Sequence, residues 1–380
     1  MKFQLNDTFT ELYKKPAQWH ICSPGRVNLI GEHTDYNHGF VMPMAIDKAT
    51  HLFIRPRQDS QVNLYAANFE NSYSFLLDQL RAGEHEWGEY AKGMAWAIHT
   101  YYQKLKYGFD AVVYGDIPIG AGLSSSAAFE LAIGQAFCLS NSLNWDPVIM
   151  AKLAQQAENE WVKVNCGIMD QFICSLGQVN HALLIDCDSL EYEQLPLPHN
   201  TKVIIMDTAT RRGLVESAYN ERREQCEAAA ESMAVETLRT LGEKDLPTLQ
   251  TRLDKTTYAR AKHVISENAR VLEAKQALLN NDPIHFGKLM VSSHESLCQD
   301  FEVSSEALDT MVQIALDTEG CFGARMTGAG FGGCAIALVR ADEAEQFVKT
   351  VTEQYQKSQQ MEPYLYICAP SQGCSASPIN

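Results

Sequence analysis

The 380-residue chain is predicted to fold as an α+β protein of two domains. Strand-like and helix-like segments follow one another without strict alternation, which favours α+β sandwiches over a doubly wound sheet. The length is sufficient for two separate hydrophobic cores. A polar stretch that contains prolines, residues 191–200, separates the two halves of the chain. We therefore predict one domain over residues 1–198 and a second over residues 199–380.

The first half of the chain carries short apolar runs typical of strands and longer periodic runs typical of helices. One helix is predicted to begin at Asp146-Pro147 and to end near residue 161, because proline is favoured at the first helical position. The other predicted helices cover residues 88–106, 127–140 and 167–177. The predicted strands cover residues 52–54, 62–65, 109–114 and 182–185.

The second half is predicted to open on a strand and to continue mainly as charged helices. Apolar Leu308, Val312 and Leu316 recur at helical spacing. Asp342 is of a residue type that is favoured at the N-cap of a helix. The predicted helical regions are residues 214–281, 304–318 and 342–356. The predicted strands are residues 203–206, 324–327, 333–339 and 364–368, of which the middle two form a hairpin around a glycine turn.

The composition excludes several classes of protein. A formal net charge of −16 argues against a nucleic-acid-binding protein, which needs a positive surface. The 11 cysteines are dispersed and form no Cys-x-x-Cys pair, which favours reduced thiols inside a cell. We recognise no secretory signal near the N-terminus and no apolar run long enough to cross a bilayer, so we predict a cytoplasmic protein.

The most informative segment is a glycine–serine loop, residues 115–128, with the sequence GDIPIGAGLSSSAA. It lies between a predicted strand and a predicted helix, so free backbone N–H groups and the positive end of the helix dipole face any ligand there. A helix cap needs only one hydroxyl, whereas Ser124, Ser125 and Ser126 supply three. We therefore predict a phosphate site with a nucleotide as its ligand. No Walker sequence occurs in the chain, which disfavours a P-loop kinase.

A second polar segment, residues 24–37, combines an arginine, carboxylates and an imidazole between glycines. Glu32, His33 and Asp35 lie within four positions of one another, and Arg26 lies shortly before them. Carboxylates and imidazole can meet both the donors and the acceptors of a polyhydroxylated ligand. On composition alone, a sugar site and a solvated turn fit this segment about equally well.

Two further features, an isolated aspartate and a second glycine-rich segment, are more informative when they are considered together with the glycine–serine loop. Asp170 lies in an otherwise apolar helical segment, where a carboxylate is costly unless a cation is paired with it. It is therefore either a base or orienting group with an arginine partner, or one half of a structural ion pair. The glycine motif, residues 325–334 with the sequence RMTGAGFGGC, fits either a tight hairpin or a backbone that closes over phosphates.

Taken together, three of these segments resemble the galactokinases, a family of the superfamily that also holds homoserine, mevalonate and phosphomevalonate kinases. Residues 24–43 resemble the galactokinase signature, residues 115–128 the ATP loop of the superfamily, and residues 325–334 its third motif. The resemblance covers nearly the whole chain, in the right order and at a typical length. The first segment is the specific one, because the second alone would indicate only the superfamily.

The resemblance implies ATP-dependent phosphorylation of the C1 hydroxyl of α-D-galactose with Mg2+, the first committed step of galactose utilisation. It implies an N-terminal lobe similar to domain 2 of ribosomal protein S5 and a ferredoxin-like C-terminal α/β sandwich, with the active site in the cleft between them. It also implies small-molecule substrates, no nucleic-acid or membrane partner, and a monomer.

The resemblance also assigns roles to individual residues of this chain. Asp170 would be the proton acceptor and Arg26 the transition-state stabiliser. Ser126 and Glu158 would serve the Mg2+ ion. The sugar would be held by Glu32, His33, Thr34, Asp35, Gly167 and Tyr219. The ATP phosphates would be wrapped by Gly120, Ala121, Gly122, Leu123, Ser124, Ser125 and Ser126.

These roles agree with the chemistry of phosphoryl transfer, which depends on alignment and on neutralising spread charge. The backbone N–H groups at the start of the helix and Mg2+ would bind the phosphates, and Arg26 would stabilise the negative charge that develops between the sugar and ATP. The anomeric hydroxyl is more acidic than other sugar hydroxyls, so modest help from Asp170 suffices. Whether Asp170 removes the proton or mainly orients the hydroxyl stays open.

Two other functions fit the same residues. A non-catalytic sensor that binds galactose and ATP can resemble a galactokinase, although the intact glycine–serine loop with Arg26 and Asp170 favours the enzyme. A kinase for a related sugar, such as N-acetylgalactosamine or arabinose, is the second alternative. Thr34, Tyr36 and Asn37 match the galactose group better.

Overall fold

The computed structural model describes residues 2–83, 86–103, 105–118, 120–210 and 215–379. Helices and strands are mixed along these residues, which confirms the predicted α+β class. None of the helices in this described part of the chain combines the length and the apolar character that a bilayer crossing requires.

The first half of the chain supplies most of the strands and a group of helices that covers the largest sheet. Its strands are β1 (Trp19–Asn28), β2 (Phe40–Val41), β3 (Pro43–Pro56), β4 (Gln61–Ala66), β5 (Asn71–Leu76), β6 (Phe109–Gly115), β7 (His181–Asp186) and β8 (Tyr192–Pro196). Its helices are α1 (Lys2–Tyr13), α2 (Gly88–Tyr102), α3 (Ser125–Asn141), α4 (Pro147–Gln156) and α5 (Met169–Leu176).

The second half contains a smaller sheet and the longest helices. Its strands are β9 (Thr201–Asp207), β10 (Cys321–Thr327), β11 (Cys334–Arg340), β12 (Tyr364–Cys368) and β13 (Ser375–Pro378). Its helices are α6 (Val215–Ser232), α7 (Leu246–Arg252), α8 (Lys255–Leu279), α9 (Pro283–Gln299), α10 (Glu306–Asp317) and α11 (Ala344–Gln359).

The largest sheet has the strand order β13-β1-β3-β6-β4-β5, in which only β4 and β6 are parallel neighbours. Side chains alternate between the two faces of a strand, as the buried Val62 and Leu64 of β4 illustrate. Helices α2 to α5 cover one face and form a continuous apolar core with it. Helix α1 covers the opposite face, where Phe9 packs with Phe53 and Val112.

The second sheet has the order β10-β11-β9-β12 and is antiparallel throughout. Helices α6, α8, α10 and α11 contribute to an apolar core on one of its faces. A separate core joins its other face to the first half, because Ile205 and Ile336 belong to the same apolar cluster as Met44 and Ala128. This shared core holds segments from both halves of the chain close together.

Two features differ from the predicted division of the chain. Strand β13 pairs with β1, so Ser375–Pro378 lies in the sheet of the first half and not with the predicted second domain. The stretch predicted as a polar linker, residues 191–200, contains β8, which pairs with β7. This strand has no alternating apolar signature because only Leu195 among its residues is buried. The boundary at residue 198 stays a prediction.

The other differences are local. Asp146 caps α4 as predicted, but the helix ends at Gln156 and a π-helical segment, Ala157–Val162, continues it. Asp342 is not a helix cap, because it lies in a 3-10 turn and its carboxylate accepts a hydrogen bond from Nε of Arg340 over 2.8 Å. Residues 104, 119 and 214 of the predicted elements lie outside the described residues.

Candidate active site

A polar cavity of about 450 Å3, which we call the main cavity, opens beside β1, α5 and the glycine motif. Thr34 does not line this cavity. Its side chain is buried behind the cavity wall, where its hydroxyl donates to the carbonyl oxygens of Gly31 and Phe40. The polar segment 24–37 is therefore a cavity wall and not a solvated turn. The lining includes the other residues that were predicted to handle a sugar, namely Arg26, Glu32, His33, Asp35, Gly167, Asp170 and Tyr219.

Arg26 and Asp170 form a two-point ion pair in the main cavity. Nε of Arg26 donates to Oδ1 of Asp170 over 2.8 Å, and Nη2 donates to Oδ2 over 2.7 Å. Nη1 donates to the carbonyl oxygen of Gly122 over 2.5 Å, so the same guanidinium also holds the glycine–serine loop. Burial acts to lower the pKa of Arg26, but Asp170 and Glu32 together raise it above its usual value. Arg26 is thus a fixed cation that joins the main cavity to the loop.

Ser124 connects the glycine–serine loop to Asp170 a second time. Its backbone has a φ of 59°, in the left-handed region, and its side chain does not cap α3. The hydroxyl instead donates a short hydrogen bond to Oδ2 of Asp170. Ser124 therefore occupies the N-cap position of α3 without capping it through its side chain, and it fixes the position of the carboxylate together with Arg26.

Glu32 links the main cavity to the glycine motif. Its Oε1 accepts hydrogen bonds from the Thr327 hydroxyl over 3.0 Å and from the backbone N–H of Gly328 over 2.6 Å. Its Oε2 accepts from Nδ2 of Asn28 over 2.8 Å. The fully buried Arg325 places Nη2 3.7 Å from Oε1. A charge in this buried position is tolerated because every side of the carboxylate meets a donor or a cation.

His33 is a neutral residue of the same wall. Its Nε2 donates to the carbonyl oxygen of Ala329 over 3.3 Å, and its Nδ1 accepts from the Tyr36 hydroxyl over 2.8 Å, an arrangement that assigns the proton to Nε2. Burial, and then the charge of His263, lower the pKa of His33 to about 3. At neutral pH the ring is therefore uncharged, and both of its nitrogens are hydrogen-bonded within the protein.

Asp35 and Gly167 touch each other in the cavity wall. Asp35 begins a single 3-10 turn, and a Cβ atom added to Gly167 would overlap its carboxylate. A side chain at position 167 and the present position of the carboxylate are thus incompatible. Tyr219 of α6 completes this side of the cavity, with its ring centroid 5.7 Å from that of His33.

Glu158 and Ser126 lie together between the glycine–serine loop and α5. Glu158 is carried by the π-helical segment after α4, a rare conformation that is frequent at functional sites. Its carboxylate is hydrogen-bonded by Ser126 and accepts from Nε2 of Gln171 over 2.8 Å. Burial, and then the charge of Asp170, raise the pKa of Glu158 to about 7, although the hydrogen bonds act in the opposite direction.

These two oxygen groups fit a Mg2+ ion that takes its other ligands from phosphates and water, which is the usual way that proteins bind this ion. A cation beside Glu158 would also stabilise the ionised carboxylate, which burial disfavours. Within the described residues there is no cluster of three or more His, Cys, Asp or Glu that could hold a metal ion by itself. The ion would therefore depend on a bound nucleotide.

Two further cavities flank the glycine–serine loop. One of about 230 Å3 separates the loop from the glycine motif, so that the two glycine-rich backbones face each other. The other, of about 270 Å3, has Trp87, Tyr90 and Phe129 in its wall beside Ser125 and Ser126. A flat aromatic base fits such a cavity beside the start of a phosphate-binding helix. This aromatic cavity was not predicted from the sequence, although the aromatic residues around α2 were the available signal.

Comparison with known proteins first identifies the class. The family model of the GHMP kinase N-terminal domain matches residues 89–178, and the model of the C-terminal domain matches residues 274–357. A crystal structure of a mevalonate kinase shares the fold, with a TM-score of 0.69 and 21% identity over 92% of this chain and 98% of that one. The fold and the glycine-rich site thus define a GHMP kinase, a member of the superfamily of galacto-, homoserine, mevalonate and phosphomevalonate kinases.

More specific matches narrow this class. The galactokinase galactose-binding signature matches residues 7–56. The chain is 42% identical over 375 residues to a galactokinase of Roseiflexus sp. (strain RS-1), across 97% of this chain and 96% of the relative. A galactokinase of Chloroflexus aurantiacus is 43% identical over 353 residues, across 91% and 90%. The crystal structure of the Lactococcus lactis galactokinase complexed with galactose matches with a TM-score of 0.94 and 36% identity, over 98% of this chain and 99% of that one. The protein belongs to the galactokinase family.

Proposed function

We propose that this protein is a kinase that transfers the γ-phosphate of ATP to the C1 hydroxyl of α-D-galactose, giving α-D-galactose 1-phosphate and ADP. The observation that carries this proposal is the position of the Arg26–Asp170 ion pair. The pair lines the main cavity and is bonded to the glycine–serine loop through Gly122 and Ser124. A hexose in the cavity and a terminal phosphate on the loop would meet at these two side chains.

In the proposed complex, Asp170 accepts or orients the proton of the C1 hydroxyl, and Arg26 steadies the charge that develops between sugar and nucleotide. The two-point ion pair supports these roles because it fixes both groups before the substrates bind. Thr34 supports the wall through its buried hydroxyl instead of touching the sugar. The sugar lies against Glu32, His33, Asp35, Gly167 and Tyr219.

The nucleotide is proposed to lie along the glycine–serine loop, with its base in the cavity formed by Trp87, Tyr90 and Phe129. The N–H groups and the dipole at the start of α3 support this placement of the phosphates. Ser126 and Glu158 would hold Mg2+, which when bound supplies positive charge to the phosphates. The phosphates are proposed to contact Gly120, Ala121, Gly122, Leu123, Ser124, Ser125 and Ser126.

A coupled assay of ADP release with a panel of sugars tests the proposal. Galactose is expected to give the highest kcat/KM among galactose, glucose, arabinose and N-acetylgalactosamine. ADP release that does not increase when galactose is added would favour a non-catalytic sensor. A higher kcat/KM with another sugar of the panel would favour a kinase for that sugar.

The Ser126→Ala variant is expected to need more Mg2+ for half-maximal activity, by about tenfold, because one oxygen ligand of the ion is lost. A titration of activity against free Mg2+ at saturating ATP measures this effect. Ser125→Ala is the matched control, because it removes the neighbouring hydroxyl of the same loop and should leave the Mg2+ requirement unchanged. An unchanged titration in Ser126→Ala would contradict the metal role of this serine.

Galactose binding is expected to weaken as the pH falls through about 6. Burial, and then the charges of Asp170 and Glu32, raise the pKa of Asp35 from 3.8 to about 6. Below this pH the carboxyl group is protonated and accepts fewer hydrogen bonds from the sugar, whereas above it the group is ionised. Calorimetry with galactose between about pH 5 and about pH 8 should show this change in the wild type and a flat profile in Asp35→Asn. Equal galactose affinity of the wild type at the lowest and the highest pH would contradict the role of Asp35 in binding the sugar.

The cytoplasmic location and the monomeric state remain predictions from the sequence and from the family resemblance. Size-exclusion chromatography with light scattering measures the second of these directly, and a mass equal to that of one 42.4 kDa chain is expected.

A further inference from the structure

Lys163 is a cation of the main cavity to which no role has been given so far. It is exposed and lies at the end of the π-helical segment, and it lines the same cavity as Arg26 and Asp170. Its backbone N–H donates to the carbonyl oxygen of Glu158. Lys163 therefore begins the loop that leads from the proposed metal ligand to Gly167 on the sugar side.

The backbone around Lys163 is fixed on both sides. The N–H of Val164 also donates to the carbonyl oxygen of Glu158, over 3.1 Å. Further along, the N–H of Cys166 donates to Oδ1 of Asn159 over 2.9 Å, and Nδ2 of Asn159 donates back to the carbonyl oxygen of Cys166 over 3.3 Å. The backbone of Lys163 is therefore held in a defined position at the cavity that this residue lines.

This fixed position is unfavourable for a lysine. Its φ is 68°, in the left-handed region, where glycine is accommodated without the cost that a side chain brings. His33, Ser124 and Phe331, three other non-glycine residues with positive φ, also lie in or beside the proposed sugar and phosphate sites. A left-handed backbone also occurs at residues that do not line the main cavity, such as Lys14 and Ser142, so the φ of this lysine supports a site only together with its place in that cavity.

Two cations of the main cavity, Arg26 and Lys163, differ in whether their charged groups already have partners in the protein. The guanidinium of Arg26 is committed to Asp170 and to the carbonyl oxygen of Gly122. The side-chain ammonium of Lys163, by contrast, has no hydrogen-bond or ion-pair partner among the residues that the structure describes, although the carboxylates Glu32 and Asp35 line the same cavity. It is a cation held at the cavity with its charge uncommitted.

We propose that Lys163 binds the phosphoryl group that enters the main cavity during the reaction, most directly as the phosphomonoester of the phosphorylated sugar. This inference rests on the proposed function. A phosphomonoester carries close to two negative charges at neutral pH and would stand among the carboxylates of the cavity. An ammonium on a flexible stem supplies a mobile counter-charge that Arg26, with its fixed partners, does not.

The test compares direct binding of three ligands to the wild type and to the variants Lys163→Met, Lys163→Gly and Lys163→Arg. Calorimetry with galactose 1-phosphate should show a loss of affinity of about three- to tenfold in the methionine and glycine variants and near-wild-type affinity in the arginine variant. Affinity for uncharged galactose should stay unchanged. Raising the salt concentration should weaken binding of galactose 1-phosphate in the wild type more than in Lys163→Met.

A non-hydrolysable ATP analogue distinguishes the two sources of the phosphoryl group. If Lys163→Met binds only galactose 1-phosphate more weakly than the wild type, Lys163 contacts the phosphoryl group of the product. If it also binds the ATP analogue more weakly, Lys163 contacts the phosphoryl group of the nucleotide as well. Unchanged affinity for both ligands in Lys163→Met would overturn the inference. Wild-type protein that binds neither galactose nor galactose 1-phosphate would instead contradict the proposed function itself.

Lys14→Gly is the matched control, because Lys14 is an exposed lysine with a φ of 59° that does not line the main cavity. Both glycine variants remove a side chain from a left-handed position, so an unchanged or slightly raised melting temperature is expected in each. Only Lys163→Gly should lose affinity for galactose 1-phosphate. An equal loss in Lys14→Gly would show that general surface charge, and not a site at Lys163, controls binding.

Discussion

The Asp170→Ala variant is expected to phosphorylate galactose about 10²- to 10⁴-fold more slowly than the wild type, the usual range for loss of a positioned acid or base. The carboxylate accepts hydrogen bonds from Nε and Nη2 of Arg26 and from the Ser124 hydroxyl. Alanine removes the acceptor for the C1 hydroxyl proton and leaves Arg26 without its counter-ion. The glycine–serine loop and the start of α3 are retained, so binding of ATP should persist.

Single-turnover kinetics and calorimetry with a non-hydrolysable ATP analogue separate these two effects. Asp170→Asn keeps the shape of the side chain and should be slow as well, because an amide cannot take the proton. Asp110→Asn is a control for loss of a buried ion pair, since Asp110 accepts from Nη1 of Arg57 over 2.9 Å and does not line the main cavity. It should lower the melting temperature without slowing turnover. Wild-type turnover in Asp170→Ala would refute the assigned role.

Local patterns were sufficient to predict the elements that carry the site. The apolar run before the loop predicted β6, and the alanine-rich run after it predicted α3. The glycines between these two runs predicted the glycine–serine loop. Strand β12 has the predicted bounds, Tyr364–Cys368. The roles of individual residues came from the family resemblance, because composition alone left the polar segment 24–37 and Asp170 undecided.

Contacts between distant segments were not predictable from local pattern. The bond from Ser124 to Asp170 joins residues 46 positions apart, and the bond from Gly328 to Glu32 joins residues 296 positions apart. No local feature distinguishes the buried hydroxyl of Thr34 from a hydroxyl that faces a ligand. Strand β13 has its partner at the other end of the chain. Each of these contacts is decided by tertiary packing, which overrides the preferences of a short segment.

The Gly167→Ala variant is expected to weaken galactose binding by about 10- to 100-fold while the protein remains folded. An added Cβ would overlap the Asp35 carboxylate and would stand 2.6 Å from its Cγ. Since no positive φ restricts Gly167, the backbone accepts alanine, and the overlap is relieved when the Asp35 carboxylate rotates away and its Cβ atom, 3.1 Å from the added Cβ, shifts slightly. The displaced carboxylate then loses its hydrogen bonds to the sugar, and a hydrogen bond to a charged group contributes about 1.5–3 kcal/mol.

Calorimetry with galactose and the KM for galactose in the ADP-release assay measure this loss, while the affinity for an ATP analogue should be unchanged. Gly242→Ala is the matched control, because nothing lies within 4 Å of a Cβ atom added there. The control should bind galactose as the wild type does and should have an equal or slightly higher melting temperature, since alanine restricts the unfolded chain. The two substitutions differ in the steric contact with Asp35 and in the place of residue 167 at the proposed sugar site. Wild-type galactose affinity in Gly167→Ala would therefore show that the position of this carboxylate does not determine sugar binding.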